Sequence, residues 1–264
     1  MLTSKLSVSL CLGLALLGSG GIATGAADQK VISSIDLKTP FGARSDWRII
    51  TKQGPEAYNP AVDDKEPGAI SLCLSKAPEA TCDPALRTSL AGAPSDLFDH
   101  PHFLDTVQVV WARANEPLLW VETASLNSTD GNQLKLSEAL AYRRVSDSFE
   151  RVYEKVVGHN NNEEVRFVTS GPLKGDIISV EPTSNAPFGF WVTLNAQSAG
   201  QAYRQVLRYR SATRYGDGNP LAVIDSEMPN IESRLGAWKT GQRLPLPASG
   251  CAKPHLVKTE LWCS

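Results

Sequence analysis

The sequence predicts an all-β domain, mainly antiparallel, with a two-sheet sandwich as the first architecture and a small β-propeller as the alternative. Two observations carry this. Runs of four to nine β-forming residues recur along the chain, separated by turn signals about every ten residues. Within Tyr203 to Trp238, two such runs flank Asp217-Gly218, a pair suited to the type I′ turn because both central positions of that turn need φ > 0.

A two-residue turn there sets a register. Arg214 then faces Leu221, Ala212 faces Val223, Arg210 faces Asp225 and Arg208 faces Glu227. The last two pairs are cross-strand ion pairs, each worth roughly 0.2 to 1 kcal/mol. Pro220 falls opposite Tyr215, at a non-hydrogen-bonded site where its missing N–H costs little. Alternation along the first run puts Tyr203, Leu207 and Tyr209 on one face and Arg204, Arg208 and Arg210 on the other. Such an arginine stripe can bind an anion or a glycan; the plainer reading is a solvated, salt-bridged sheet face.

The first 27 residues read as a signal peptide. Lys5 supplies the positive end, Leu6 to Leu17 the apolar core, and Thr24-Gly25-Ala26-Ala27 the small residues before a cleavage site. The expected product, residues 28–264, is one β-rich domain, with about 237 residues to build a core. It carries no apolar run of the roughly 18 residues a membrane span needs, so it is expected to be soluble and periplasmic or secreted. Formal charge is −2 for the full chain and no block of like charge occurs, which argues against nucleic acid or anionic membrane as partner.

Cys11 lies in the signal segment, leaving four cysteines, an even number in an exported chain. Local pairing is favoured: Cys73 with Cys82, and Cys251 with Cys263, the second fastening the C-terminal tail. The spacing does not suit zinc, and no C-x-x-C redox motif is present.

Taken in order, Asp28 to about Pro67 is polar and turn-rich, with one strand candidate at Trp47 to Ile50. Ala69 to Leu74, Thr106 to Arg113 and Leu118 to Ser125 are strand candidates. In Thr106 to Arg113, Val107, Val109 and Trp111 share a side. Ser137 to Gly158 has both helical spacing (Phe149, Val152, Tyr153, Val156, Val157) and a valine-rich, aromatic composition, and the strand reading is preferred, with Glu164 to Val168 pairing back on it. Asp176 to Glu181 and Phe188 to Leu194 follow as strands, the latter with Phe188, Phe190, Val192 and Leu194 on one face. Ile231 to Trp238 reads as a helical turn. The six tryptophans, scattered singly, are read as packing residues.

Three loops hold groups that can bind a ligand. Asp99-His100-Pro101-His102, with Asp105, offers imidazole and carboxylate but lacks a further ligand at definite spacing, so no metal is assigned. His159-Asn160-Asn161-Asn162-Glu163 is dense in donors and acceptors for sugar hydroxyls or a cation, although asparagine-rich loops are also plain turns. Asp-Gly-Asn-x-Leu occurs at both Asp130 and Asp217. Over about ten residues each, these corners resemble the calcium-loop segments of integrin-like FG-GAP propellers, and the resemblance implies calcium. Only Asp217, Asn219 and Asp225 supply oxygens near the second corner, where calcium takes six to eight. No cofactor is therefore assigned.

Catalytic signatures are sparse. The chain has no G-x-S-x-G, H-E-x-x-H, P-loop or G-x-G-x-x-G, and its Lys239-Thr240-Gly241 lacks the S-x-x-K that would give it meaning. Asp225 and Glu227, two apart on a strand, would share a face about 6 to 7 Å apart, near glycosidase spacing. The expected function is a non-catalytic protein binding a polar ligand, a glycan or a protein partner, through Arg204, Arg208, Arg210 and the His159–Glu163 loop. The alternative is a glycan-directed hydrolase using Asp225 and Glu227.

Overall fold

The computed structural model describes residues 29–60, 63–77, 81–87, 90, 100–128, 131–158, 163–186, 188–198, 201–211, 222–245, 253–258 and 260–263. The chain begins with β1 (Lys30–Asp36), the short helix α1 (Lys38–Phe41) and β2 (Arg48–Gln53). A ribbon of β3 (Ala57–Asn59) and β4 (Asp64–Glu66) precedes β5 (Ile70–Ser75), which completes a sheet ordered β1-β2-β5. Next is a meander of β6 (Phe103–Arg113), β7 (Glu116–Ala124), β8 (Lys135–Arg143) and β9 (Ser148–Val157). A second meander has β10 (Glu164–Phe167), β11 (Ile177–Pro182), β12 (Phe190–Gln197) and β13 (Tyr203–Ser211). Helix α2 (Val223–Arg234) and a ribbon of β14 (Pro254–Val257) and β15 (Glu260–Cys263) end the fold. Every strand pairing is antiparallel.

The sheets stack, which selects the sandwich over the propeller, and they stack three deep. On β7, Leu119 and Val121 join Leu37, Trp47, Ile49, Leu72 and Leu74 in the core shared with the first sheet. Their neighbours Leu118 and Trp120 face the other way, packing with Phe167 and Ile177 of the third sheet. All four are at most 2% exposed. A strand covered on both faces has no solvent side, so Leu118-Leu119-Trp120-Val121 is a continuous apolar run instead of an alternation. On β11 the same logic holds: Ile177 faces the middle sheet, while Ile178 and Val180 face Val223, Ile224 and Ile231 of α2.

Asp147, at the β8–β9 turn, fastens the middle sheet to the first. It accepts hydrogen bonds from Ser45 Oγ (2.5 Å), Tyr142 Oη (2.7 Å) and Trp47 Nε1 (3.1 Å), and these donors, Ser45 foremost, hold its carboxyl well below the usual range. The Cys73–Cys82 disulfide forms as expected, with Cα atoms 5.0 Å apart. Cys251 lies outside the described residues, as do residues 1–28.

Several expectations need correction. The residues after the Asp217-Gly218 corner, which itself lies outside the described residues, return as helix α2 and not as a strand. Arg210 and Arg208 therefore do not pair with Asp225 and Glu227. Pro229 inside α2 removes a backbone donor and argues locally against a helix. Packing overrides it: Val223, Ile224 and Ile231 all fall on the buried side. Ala222 at the N-cap has no capping side chain, and Glu164 of β10 substitutes, accepting from the N–H groups of Val223 (3.2 Å) and Ile224 (3.1 Å).

β10 pairs with β11, not with β9. β1, in a stretch read as polar and turn-rich, is an edge strand with mostly exposed side chains, so it carries little of the apolar alternation that marks a strand. Phe188 lies outside β12 and is 66% exposed. The other reversal, at Gly131, does join β7 to β8, but through a longer connection in which Ala124 pairs with Lys135. The strand reading of 148–157 holds, because Phe149 and Val152 are gripped on opposite faces of the middle sheet.

Gly175 sets how the third sheet docks. Its φ is +91°, and a Cβ there would lie 2.3 Å from the carbonyl oxygen of Ala112 on β6. Gly171 has a similar φ of +77° with nothing within 4 Å. Gly171→Ala is expected to cost about 1–2 kcal/mol from backbone conformation alone. Gly175→Ala should cost clearly more, and urea unfolding of the two variants measures the difference.

Candidate functional site

The arginines on β13 are divided by a bulge. Leu194 pairs with Leu207 but the next residue, Asn195, pairs with Gln205, so Val206 is an extra residue. Paired residues share a face. Arg208 and Arg210 therefore lie with Thr193 and Trp191 toward the middle sheet, while Arg204 lies with Ala196 on the α2 side. The expected three-arginine stripe is thus split two and one. Arg208 lies 4.4 Å over the Trp191 ring, and Arg210 donates to the Asn185 carbonyl.

Around Arg208 the facing surfaces of the middle and third sheets part into a polar groove of about 320 Å³. Ser179 and Glu181 come from β11, Thr193 and Asn195 from β12, and Gln205 and Arg208 from β13. β9 contributes Tyr153, Glu154 and Lys155. Alternation places all six third-sheet side chains on one face, with the Val206 bulge bringing Gln205 onto it. Lys155 pairs with Glu181 at 2.8 Å, and Glu154 with Arg87 and Arg151, both at 2.5 Å. Tyr153 Oη is buried and meets no hydrogen-bond geometry. Burial first, then the Glu181 carboxylate, push its pKa up, with Ser179 acting the other way.

A second concavity, a cleft of about 460 Å³, lies beside α2. Ile224, Asp225, Met228 and Glu232 line it from one side of the helix. Opposite are Arg166 and Phe167 of β10, the following loop through Pro172, and Ala237, Trp238, Gln242, Arg243 and Pro245 beyond the helix. Arg166 forms an ion pair with Asp225 and also lies 3.8 Å from Glu164. The Trp238 indole N–H donates to the Arg243 carbonyl at 3.0 Å, which folds that segment against itself.

The carboxylates expected to work as a pair are separated by the helix. Two residues on an α-helix are about 200° apart around the axis. Asp225 faces the cleft, whereas Glu227, fully buried, accepts from Tyr209 Oη (2.7 Å), Ser211 Oγ (2.5 Å) and Asn230 Nδ2 (3.1 Å). The shared strand face at glycosidase spacing does not exist. Asp225, also the calcium candidate, is held by a guanidinium; Asp130, Asp217 and Asn219 lie outside the described residues. So do His159, Asn160, Asn161 and Asn162 of the asparagine-rich loop, while Glu163 accepts from the Gly158 N–H.

His102 has its Nδ1 3.0 Å from the His100 carbonyl, and burial lowers its pKa. Among the described residues no group of three or more His, Cys, Asp or Glu is placed to hold a metal. None of their helices is long and apolar enough to cross a membrane. Trp47, Trp120 and Trp238 are buried as packing residues, whereas Trp111 is 43% exposed.

Of the residues lining the groove, the sequence singled out Arg208 alone. Ser179, Glu181, Thr193 and Asn195 were legible as the polar half of two alternating strands, set against Val180, Val192 and Leu194. The cleft residues Arg166, Glu232 and Trp238 left no such mark, since a helix and a loop bring them together. No family model matches the chain, and no curated protein or solved structure matches it.

One buried acid stands apart from both concavities. Glu138 on β8 is 1% exposed, accepts from the Arg87 N–H and from Arg151 (both 3.2 Å), and burial pushes its pKa up to about 7. A carboxyl raised from 4.5 binds its proton more tightly in the folded state, so stability falls as pH rises from about 4.5 to 7. The loss is bounded by about 3 kcal/mol, at 1.36 kcal/mol for each pH unit. Glu138→Gln should flatten that part of the stability–pH curve in urea unfolding at several pH values.

Proposed function

We propose that this is an exported, non-catalytic protein that binds a neutral glycan in the groove around Arg208. The observation that carries the reading is the groove's lining: hydroxyl, amide and guanidinium groups project from three neighbouring strands onto one face. Serine, threonine, asparagine and glutamine offer both donors and acceptors, which is what vicinal sugar hydroxyls require. Arg208 adds a donor that cannot be deprotonated, held in place by the Trp191 ring.

Glu154 and Glu181 are occupied by cations and act as acceptors. Both carboxylates are taken up in ion pairs with the protein's own cations, which favours binding over turnover. The Cys73–Cys82 disulfide suits a protein that matures in an oxidising compartment, in keeping with a signal peptide over residues 1–27 and a periplasmic or secreted location.

Titration calorimetry of the protein against a panel of neutral oligosaccharides tests this. At least one should bind, and Asn195→Ala and Arg208→Ala should each weaken it about 2- to 13-fold, the effect of losing one hydrogen bond of 0.5–1.5 kcal/mol. Absence of binding across the panel, or binding unchanged in both variants, would overturn the reading.

A further inference from the structure

The cleft beside α2 holds a charge without a counterpart. Glu232 is 4% exposed and lines the cleft, yet among the described residues no group donates a hydrogen bond to its carboxylate and no cation lies within ion-pair distance. Burial alone raises its pKa above the usual carboxyl range. A buried ionised carboxylate without a partner is costly, and buried acids in folded proteins are normally paired.

Besides Glu232 and Asp225, the charged residues lining the cleft are Arg166 and Arg243. Arg166 is engaged by Asp225 and Glu164, so it is not available two helical turns away, about 10 Å along the axis at 1.5 Å per residue. Arg243, exposed on the rim, makes no ion pair with Glu232. Ile224, Met228, Ala237, Trp238 and Pro245 give the cleft an apolar and aromatic wall. An anion would meet the buried Glu232 carboxylate, which among the described lining residues is the charge that is both buried and without an ion pair. An aliphatic chain ending in a positive charge fits on both counts, and an indole wall favours a cation as well.

We infer that this cleft is a second binding site, independent of the groove around Arg208, which takes a primary ammonium on an aliphatic chain with its head against Glu232. A free alkylamine and a lysine side chain share that chemistry. Calorimetry on the full chain, with hexylamine, 1-hexanol and hexanoate as probes, tests the inference, and a lysine-containing peptide separates the two sources.

Hexylamine should bind about 10-fold tighter than hexanol, with hexanoate weakest. Glu232→Gln should abolish the preference for the amine while hexanol binds as before, and the retained hexanol binding reports an intact cleft. Whichever of peptide and free amine binds tighter identifies the source. Equal binding of amine and alcohol to the wild-type protein overturns the inference without any variant, as does a preference for the amine that survives Glu232→Gln. Loss of glycan binding elsewhere leaves this result untouched, so the two sites fail separately.

Discussion

The structure depends on β7 having no solvent side. Four consecutive large apolar residues, each worth roughly 1.5–3 kcal/mol when fully buried, cannot be satisfied by one opposing sheet, because successive side chains point to opposite faces. A second cover is required, and the third sheet provides it. The same demand passes outward through β11, whose far face needs a cover of its own, and α2 lies there. The layering is a chain of such obligations, and it continues past α2, which is itself buried along most of its length with β15 against it.

The helix is also tied electrostatically to the layer beneath it. Glu164 completes the open N-terminal turn of α2, and Arg166, two residues on along β10, holds Asp225 in that same turn. A carboxylate at a helix N-terminus complements the partial positive charge there. One short strand thus fixes both the axial position and the rotation of α2, which decides that Asp225 and Glu232 face the cleft while Glu227 is sealed against Tyr209 and Ser211. The two acids that look equivalent in sequence differ because of where β10 grips the helix.

What the chain disclosed in advance follows from the range of the forces involved. Meanders, the strand identity of 148–157 and the Cys73–Cys82 link are local, and alternation and spacing reveal them. Residues 223–234 misled because Pro229 and the preceding Asp-Gly corner both speak for a broken segment, while the evidence for a helix, a cap from Glu164 and a buried seam against β11 and β12, lies about 30 residues or more away. The apolar run at 118–121 is the local mark of a strand covered on both faces, but the two-sheet expectation made no use of it. That Arg208 shares a face with Arg210 was legible from alternation, but its separation from Arg204 was not, since a single unpaired residue changes the side on which everything before it emerges.

That unpaired residue has one more effect. β13 ends the third sheet, and among the described residues no strand continues the ladder beyond it. An open ladder invites the backbone of a second molecule to add itself, and uncontrolled self-association begins in that way. The irregularity at Val206 interrupts the row of outward N–H and C=O groups, and Arg204 and Arg208 set like charges to either side of it. The kink that assembles the polar groove is thereby also a guard on the third sheet's open border.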